Sequence, residues 1–293
     1  MLKGSIVALV TPMQTDGSVD KQSLHDLIEW HISSGTDAIG VVATTGEAPT
    51  LEVEEQYDII STTVKQVAKR IPVIAGTGTN STSHTLELTR NAKKAGADAV
   101  LIITPYCNRP SQQGLYEHYK FIAERVAIPI IMYNVPLRTG VNLLPETVVR
   151  LSKIPNIIGI KEATGNDVQC ASDILKHTDK SFAIYSGDDI TTLDLLLNGG
   201  TGAISVTANV APRKMHEMCQ AALSGNKILA EKLNTELLPL HKNLFLEPNP
   251  VPVKWALHQM GKIPSGIRLP LFTLDPKYHA EVKEAMQKAG IAK

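Results

Sequence analysis

Lys161 closes a short apolar run, Asn156-Ile157-Ile158-Gly159-Ile160, and is followed by Glu162-Ala163-Thr164-Gly165. An amine held at the end of a buried strand is a candidate nucleophile toward a ketone. An ordinary lysine titrates at about 10.4 and is almost wholly protonated at neutral pH. Such a role therefore demands surroundings that keep the amine uncharged. Taken alone, the residue reads as a strand-end lysine extending its charge into water. Only its company in the rest of the chain reverses that reading.

Other polar groups follow apolar runs in the same manner. They are Thr44-Thr45-Gly46-Glu47, Thr104-Pro105-Tyr106-Cys107-Asn108, Tyr133-Asn134-Val135-Pro136 with Arg138 close behind, Ser186-Gly187-Asp188-Asp189, and Ser205-Val206-Thr207-Ala208-Asn209. Each has an ordinary explanation. Thr44 and Thr45 suit a helix cap, with Glu47 completing a box. Tyr133 suits a core position with a bonded hydroxyl. Arg138 suits a loop surface, Gly187 a turn, and Asp188-Asp189 the cap of the following helix. Their coincidence at one end of successive strands is far less expected than any of them singly. The nine histidines are scattered, and neither an HExxH nor a GxSxG pattern occurs. An amine, phenols, hydroxyls and a guanidinium thus favour covalent amine catalysis over metal or serine chemistry.

The framework behind these groups is legible as an alternation. Short runs rich in Val and Ile fall at 6–10, 38–43, 73–75, 99–103, 130–133, 157–160, 182–185 and 203–206. Each is too short for a helix and reads as a parallel strand buried on both faces. Stretches of helical period lie between them, such as Leu24, Leu27, Ile28 and His31 before Gly35, and Leu86, Leu88, Ala92 and Ala95 before Gly96. Glycine after the last turn suits a left-handed cap. Eight strand-then-helix units between residue 5 and about 223 predict an α/β fold, a (β/α)8 TIM barrel, whose chemistry sits where strands end. An open doubly wound sheet would carry a glycine fingerprint after its first strand, where this chain has Thr11-Pro12-Met13. Gly76-Thr77-Gly78-Thr79-Asn80-Ser81 reads as a tight turn with a helix cap. Residues 1–224 are expected to form the barrel and 225–293 a C-terminal helical extension. Three helices are expected there, on Ala230, Leu233, Leu237 and Leu240, on 253–257, and on 282–289.

Composition narrows the setting. The chain has 293 residues, with 29 Lys plus Arg against 29 Asp plus Glu. That balance gives no strong electrostatic footprint for nucleic acid or an anionic membrane, leaving only local patches open. Cys107, Cys170 and Cys219 are far apart and suggest no disulfide framework, which points to a reducing, cytoplasmic location. The apolar start is too short for a signal peptide and has no small-residue cleavage site. No apolar stretch is long enough to span a bilayer.

At these residues the chain resembles the dihydrodipicolinate synthase family, one of the pyruvate-dependent class I lyases that include N-acetylneuraminate lyase. The resemblance runs from Gly4-Ser5-Ile6-Val7 to Glu247-Pro248-Asn249-Pro250-Val251-Pro252-Val253-Lys254. Its specific motifs are Thr44-Thr45-Gly46-Glu47 and Tyr133-Asn134-Val135-Pro136 followed by Ile160-Lys161-Glu162. Arg138 favours the synthase over its sugar-cleaving relatives. The resemblance implies that Lys161 forms a Schiff base with pyruvate, and that the derived enamine attacks aspartate-4-semialdehyde. It implies proton transfer by Tyr133 helped by Thr44, pyruvate carboxylate binding by Thr45 with backbone contact from Ile204, semialdehyde carboxylate binding by Arg138, and room for substrate at Gly187. It also implies that no external cofactor is needed, and that the assembly is a homotetramer built as a dimer of dimers.

The chain departs from the family pattern in three respects. Cys107 stands where a second relay tyrosine is usual, and a thiol is shorter and a weak donor. Ala43 replaces the usual glycine before Thr44. Val53, Gln56 and His84 occupy the positions that bind inhibitory lysine in regulated members, without the carboxylate, so weak or absent lysine feedback is expected. The rival readings are a sugar-acid aldolase on the same fold and a catalytically silent barrel.

Overall fold

The computed structural model describes residues 2–165 and 168–291. Its strands are β1 (Gly4–Ala8), β2 (Ala38–Val41), β3 (Val73–Gly76), β4 (Ala99–Ile103), β5 (Ile130–Asn134), β6 (Ile157–Glu162), β7 (Ala183–Ser186) and β8 (Gly202–Ser205). Each pairs in parallel with the next, and β8 returns to pair with β1, so the sheet closes into a barrel. Helices Lys21–Ser33, Val53–Val67, Thr82–Ala95, Gln112–Ala123, Pro145–Leu151, Gln169–His177, Thr192–Leu197 and Pro212–Leu223 follow the strands in turn. This is the expected (β/α)8 architecture.

The strands are apolar on both faces because both faces are covered. Ile6, Ala8, Ile74, Leu101, Ile131, Tyr133, Tyr185 and Ile204 fill the barrel interior. Val7, Ile39, Val73, Val100, Ile130, Ile160 and Ile184 point outward against the helices. Strand residues alternate between these layers with period two.

Strand boundaries differ from the apolar runs for identifiable reasons. β1 begins at Gly4, whose φ is +93°, because the Asp37 carboxylate occupies the space a side chain would take and accepts the Ser5 N–H. Residues beyond Ala8 stay buried but leave the sheet, and Val10 N–H donates to Asn209 Oδ1 at 3.0 Å. β6 continues through two charged residues past its apolar run, pairing Tyr133 with Lys161 and Asn134 with Glu162. The turn after β3 behaves as expected. Ser81 Oγ accepts the His84 N–H at the start of Thr82–Ala95, and a Cβ on Gly78 would sit 2.3 Å from Ile103 N.

Residues 225–291 contribute helices Lys227–Asn243, Val251–Gln259 and His279–Lys288. The first buries Ala230, Leu233, Leu237 and Leu240, the stripe its periodicity marks out. It packs on Pro212–Leu223 and on His279–Lys288. The segment between Lys227–Asn243 and Val251–Gln259 reaches back over the strand ends, and this brings it into the site.

Candidate active site

Neighbouring strands set the central pair. Tyr133 on β5 and Lys161 on β6 are register partners, and both side chains turn into the barrel. Lys161 is only 4 % exposed, and its Nζ lies 4.3 Å from the centroid of the Tyr133 ring. A buried strand-end amine against a phenol is the opposite of a lysine extended into water. Gly187 makes this possible. A Cβ there would fall 2.9 Å from Lys161 Cε and 2.7 Å from Ala163 Cβ. The space expected for substrate is thus also the space through which the lysine stem runs.

The Thr44-Thr45 loop is held under backbone strain. Val42 and Glu47, on either side of it, have φ of +55° and +58°. Left-handed backbone is a genuine outlier for a β-branched valine, and it persists only where surroundings enforce it. The enforcement is visible. Thr11 Oγ1 donates to Gly46 O at 2.7 Å. Buried Glu47 pairs with buried Lys254 and accepts the Arg268 N–H at 3.1 Å. Burial pushes the Lys254 ammonium below its usual range, and the Glu47 carboxylate opposes that fall. Thr45 Oγ1 accepts from Asn249 Nδ2 at 3.0 Å. The helix-cap explanation of Thr44, Thr45 and Glu47 therefore does not hold, since Val53–Val67 is capped by Glu52 and Glu55.

Arg138 stands on the short helix Pro136–Thr139 and donates from Nη2 to Asn249 O at 3.3 Å. Asn249 thus touches both Thr45 and Arg138. Neither Asn249 nor Lys254 has a role legible in the sequence, because a Pro-Asn-Pro segment between two helices carries no local signal for one. A cavity of about 360 Å³ opens at this end of the barrel, lined by Thr44, Gln56, Thr77, Tyr106, Tyr133 and Arg138 among others. Lys161, Thr45, Gly187 and Ile204 are not among its lining residues. Lys161 meets it through Tyr133, which is. Ile204 is an interior residue of β8, 1 % exposed. Cys107 is exposed at φ +73°, with its N–H directed to Thr139 O at 3.4 Å.

The acidic pair after β7 departs from expectation. Neither carboxylate caps the following helix. Asp188 Oδ2 accepts the Gly165 N–H at 3.0 Å, and Asp189 Oδ2 accepts the N–H groups of Val206 and Thr207 at 3.0 and 2.8 Å. They tie the end of β7 to the ends of β6 and β8. Burial raises the Asp188 carboxyl above its usual range, against the pull of the Gly165 N–H. Burial also pushes Glu162 up to about 7, despite its bond from Asn134. Among the described residues no cluster of three or more His, Cys, Asp or Glu is disposed to hold a metal, and no helix is long and apolar enough to cross a membrane.

A closed β/α barrel with a buried amine beside a phenol at its strand ends is the architecture of a Schiff-base lyase. The sequence relationships narrow the class. The chain belongs to the dihydrodipicolinate synthetase family, whose model matches residues 1–289. It is 56 % identical over 291 residues to the 4-hydroxy-tetrahydrodipicolinate synthase of Pseudomonas aeruginosa, covering 99 % of each chain. It is 57 % identical over 291 residues to the enzyme of that name from Thioalkalivibrio sulfidiphilus, again covering 99 % of each. Its structure is similar to the chloride-inhibited dihydrodipicolinate synthase of Acinetobacter baumannii complexed with pyruvate, with a TM-score of 0.98, 53 % identity, and 99 % and 100 % of the two chains covered. It is also similar to the Cyanidioschyzon merolae enzyme with lysine bound, with a TM-score of 0.95, 36 % identity and 99 % of each chain covered.

Proposed function

We propose that this protein condenses pyruvate with L-aspartate-4-semialdehyde through a lysine imine to give 4-hydroxy-tetrahydrodipicolinate, a step of the diaminopimelate route to lysine. The observation that carries the mechanism is the buried Lys161 amine 4.3 Å from the Tyr133 ring on the adjacent strand. Lys161 Nζ adds to the pyruvate ketone, and loss of water gives the imine. The imine draws electrons from the methyl carbon, which loses a proton to become an enamine. That carbon attacks the semialdehyde carbonyl. The semialdehyde's own amine then displaces Lys161 and closes the ring.

Tyr133 is assigned the proton transfers that imine formation and ring closure require, helped by Thr44, which lines the same cavity. Thr45 and the backbone near Ile204 are assigned to the pyruvate carboxylate. Arg138 is assigned to the semialdehyde carboxylate, which its forked donors fit. The lysine imine is itself the electron sink, so this scheme uses no external cofactor. The reading extends to a cytoplasmic homotetramer of paired dimers acting on these two small molecules.

Borohydride reduction in the presence of pyruvate tests the scheme. Mass spectrometry should find the reduced adduct on the Lys161 peptide, and Lys161→Ala should abolish both adduct and synthesis. Full synthetic turnover in Lys161→Ala would refute the proposal. Cleavage of N-acetylneuraminate in preference to synthesis would instead support the sugar-acid aldolase.

A further inference from the structure

Asn134 and Glu162 are the residues directly after Tyr133 and Lys161, so strand alternation turns them to the outer face of the barrel. There they meet. Asn134 Nδ2 lies 3.1 Å from Glu162 Oε1 and 3.2 Å from Oε2, and both residues are buried. Asn134 does more than bridge two strands. Its Nδ2 lies 2.8 Å from Asn142 Oδ1, and its Oδ1 accepts the Leu143 N–H at 2.9 Å. An amide nitrogen has two protons. One serves Asn142 and the other serves the carboxylate. A single side chain therefore fastens β5, β6 and the segment that follows the Arg138 helix. The Cys170 thiol directs its hydrogen to Glu162 Oε2 at 3.5 Å from the helix outside.

Burying a carboxyl here carries a desolvation cost that an apolar side chain would avoid. We propose that the Asn134–Glu162 contact is a positioning pair for the reaction, fixing from outside the barrel the spacing of Lys161 and Tyr133 within it. The proposal rests on the Schiff-base reading above and extends it to residues that touch no substrate. A change of spacing should slow the steps that need both groups while leaving carboxylate binding, which lies on other loops, largely alone.

The test compares Glu162→Ala, Glu162→Gln and Asn134→Ala in the full-length protein. Glu162→Ala and Asn134→Ala should each lower kcat at least tenfold and slow borohydride-trappable imine formation similarly, with KM for pyruvate changed less than threefold. Glu162→Gln keeps an acceptor for the Asn134 amide and should recover most of the lost kcat. If Glu162→Ala does not fold, Asn134→Ala set against the wild type decides alone. Wild-type kcat in Asn134→Ala, or a rise in KM with kcat unchanged, overturns the positioning role. So does a loss in Glu162→Gln equal to that in Glu162→Ala, because the hydrogen bond would then be irrelevant. Absence of any pyruvate adduct on wild-type Lys161 is a different failure and refutes the Schiff-base reading itself.

Discussion

Gly187→Ala adds one methyl group beside the reactive amine, and its consequence can be worked from distances. The new Cβ would lie 2.9 Å from Lys161 Cε, 2.7 Å from Ala163 Cβ and 3.1 Å from Glu162 O. Carbon atoms in ordinary contact are about 3.5–4.0 Å apart, so the two carbon contacts are short by roughly 0.6–1.3 Å. Glu162 O and Ala163 Cβ are fixed by the strand end, where Gly187 N–H donates to Glu162 O at 2.7 Å. The lysine stem is the movable partner. The backbone of Gly187 is not left-handed, so the penalty is steric and falls on Lys161. Overpacking of this kind costs about 1–3 kcal/mol. Displacing a reacting group by about 1 Å costs on the order of 10²-fold in rate. Gly187→Ala should therefore stay folded, with a modest fall in Tm, and lose roughly two orders of magnitude in kcat and in the rate of imine trapping. Stopped-flow or quenched borohydride trapping with pyruvate alone isolates the first step. A folded Gly187→Ala protein that traps pyruvate at the wild-type rate refutes the argument that this glycine exists to admit the lysine.

Four other outcomes are expected. Lys254→Met leaves the Glu47 carboxylate buried without its partner and should cost about 3–5 kcal/mol in urea unfolding, partly restored by adding Glu47→Gln; a loss below about 1 kcal/mol would contradict it. Glu162, raised from 4.5 to about 7 mainly by burial, keeps its proton in the folded state while the unfolded chain has lost it. Its contribution is therefore full below 4.5, declines as pH rises toward 7, and is gone above, a swing of about 3 kcal/mol. Glu162→Gln should flatten that part of the stability profile and exceed the wild type in stability at pH 8, and parallel profiles for the two proteins would refute the assignment. Cys107→Tyr should be tolerated without loss of turnover, because Cys107 is exposed at the cavity end, whereas a large fall in kcat would show the thiol adapted to its place. L-Lysine should inhibit weakly or not at all, since His84 stands where a carboxylate partner for its ammonium is expected, and Gln56 Nε2 already donates to Ala48 O and Leu51 O at 3.2 and 3.1 Å; half-inhibition below millimolar lysine would overturn this.

The barrel, and the nomination of Tyr133 and Lys161 as its central pair, could be read from the chain alone. Buried parallel strands need apolar residues on both faces, so eight short Val- and Ile-rich runs separated by helical stripes leave few other topologies. Polar residues that end those runs must then share one rim, and this groups Thr44, Tyr133, Arg138 and Lys161. What holds them is visible only in the folded molecule. Asn249 reaches Thr45 across 204 positions and Lys254 reaches Glu47 across 207. Asp189 turns away from its own helix to receive Val206 and Thr207. Gly187 reads as a turn glycine until the Lys161 stem is seen against it. The physical reason is range. Periodicity records which face of an element meets the core, a property each stretch of chain carries locally. Which polar group ends up beside which depends on ring closure of the whole sheet and on where the last helices dock, and no local pattern encodes that.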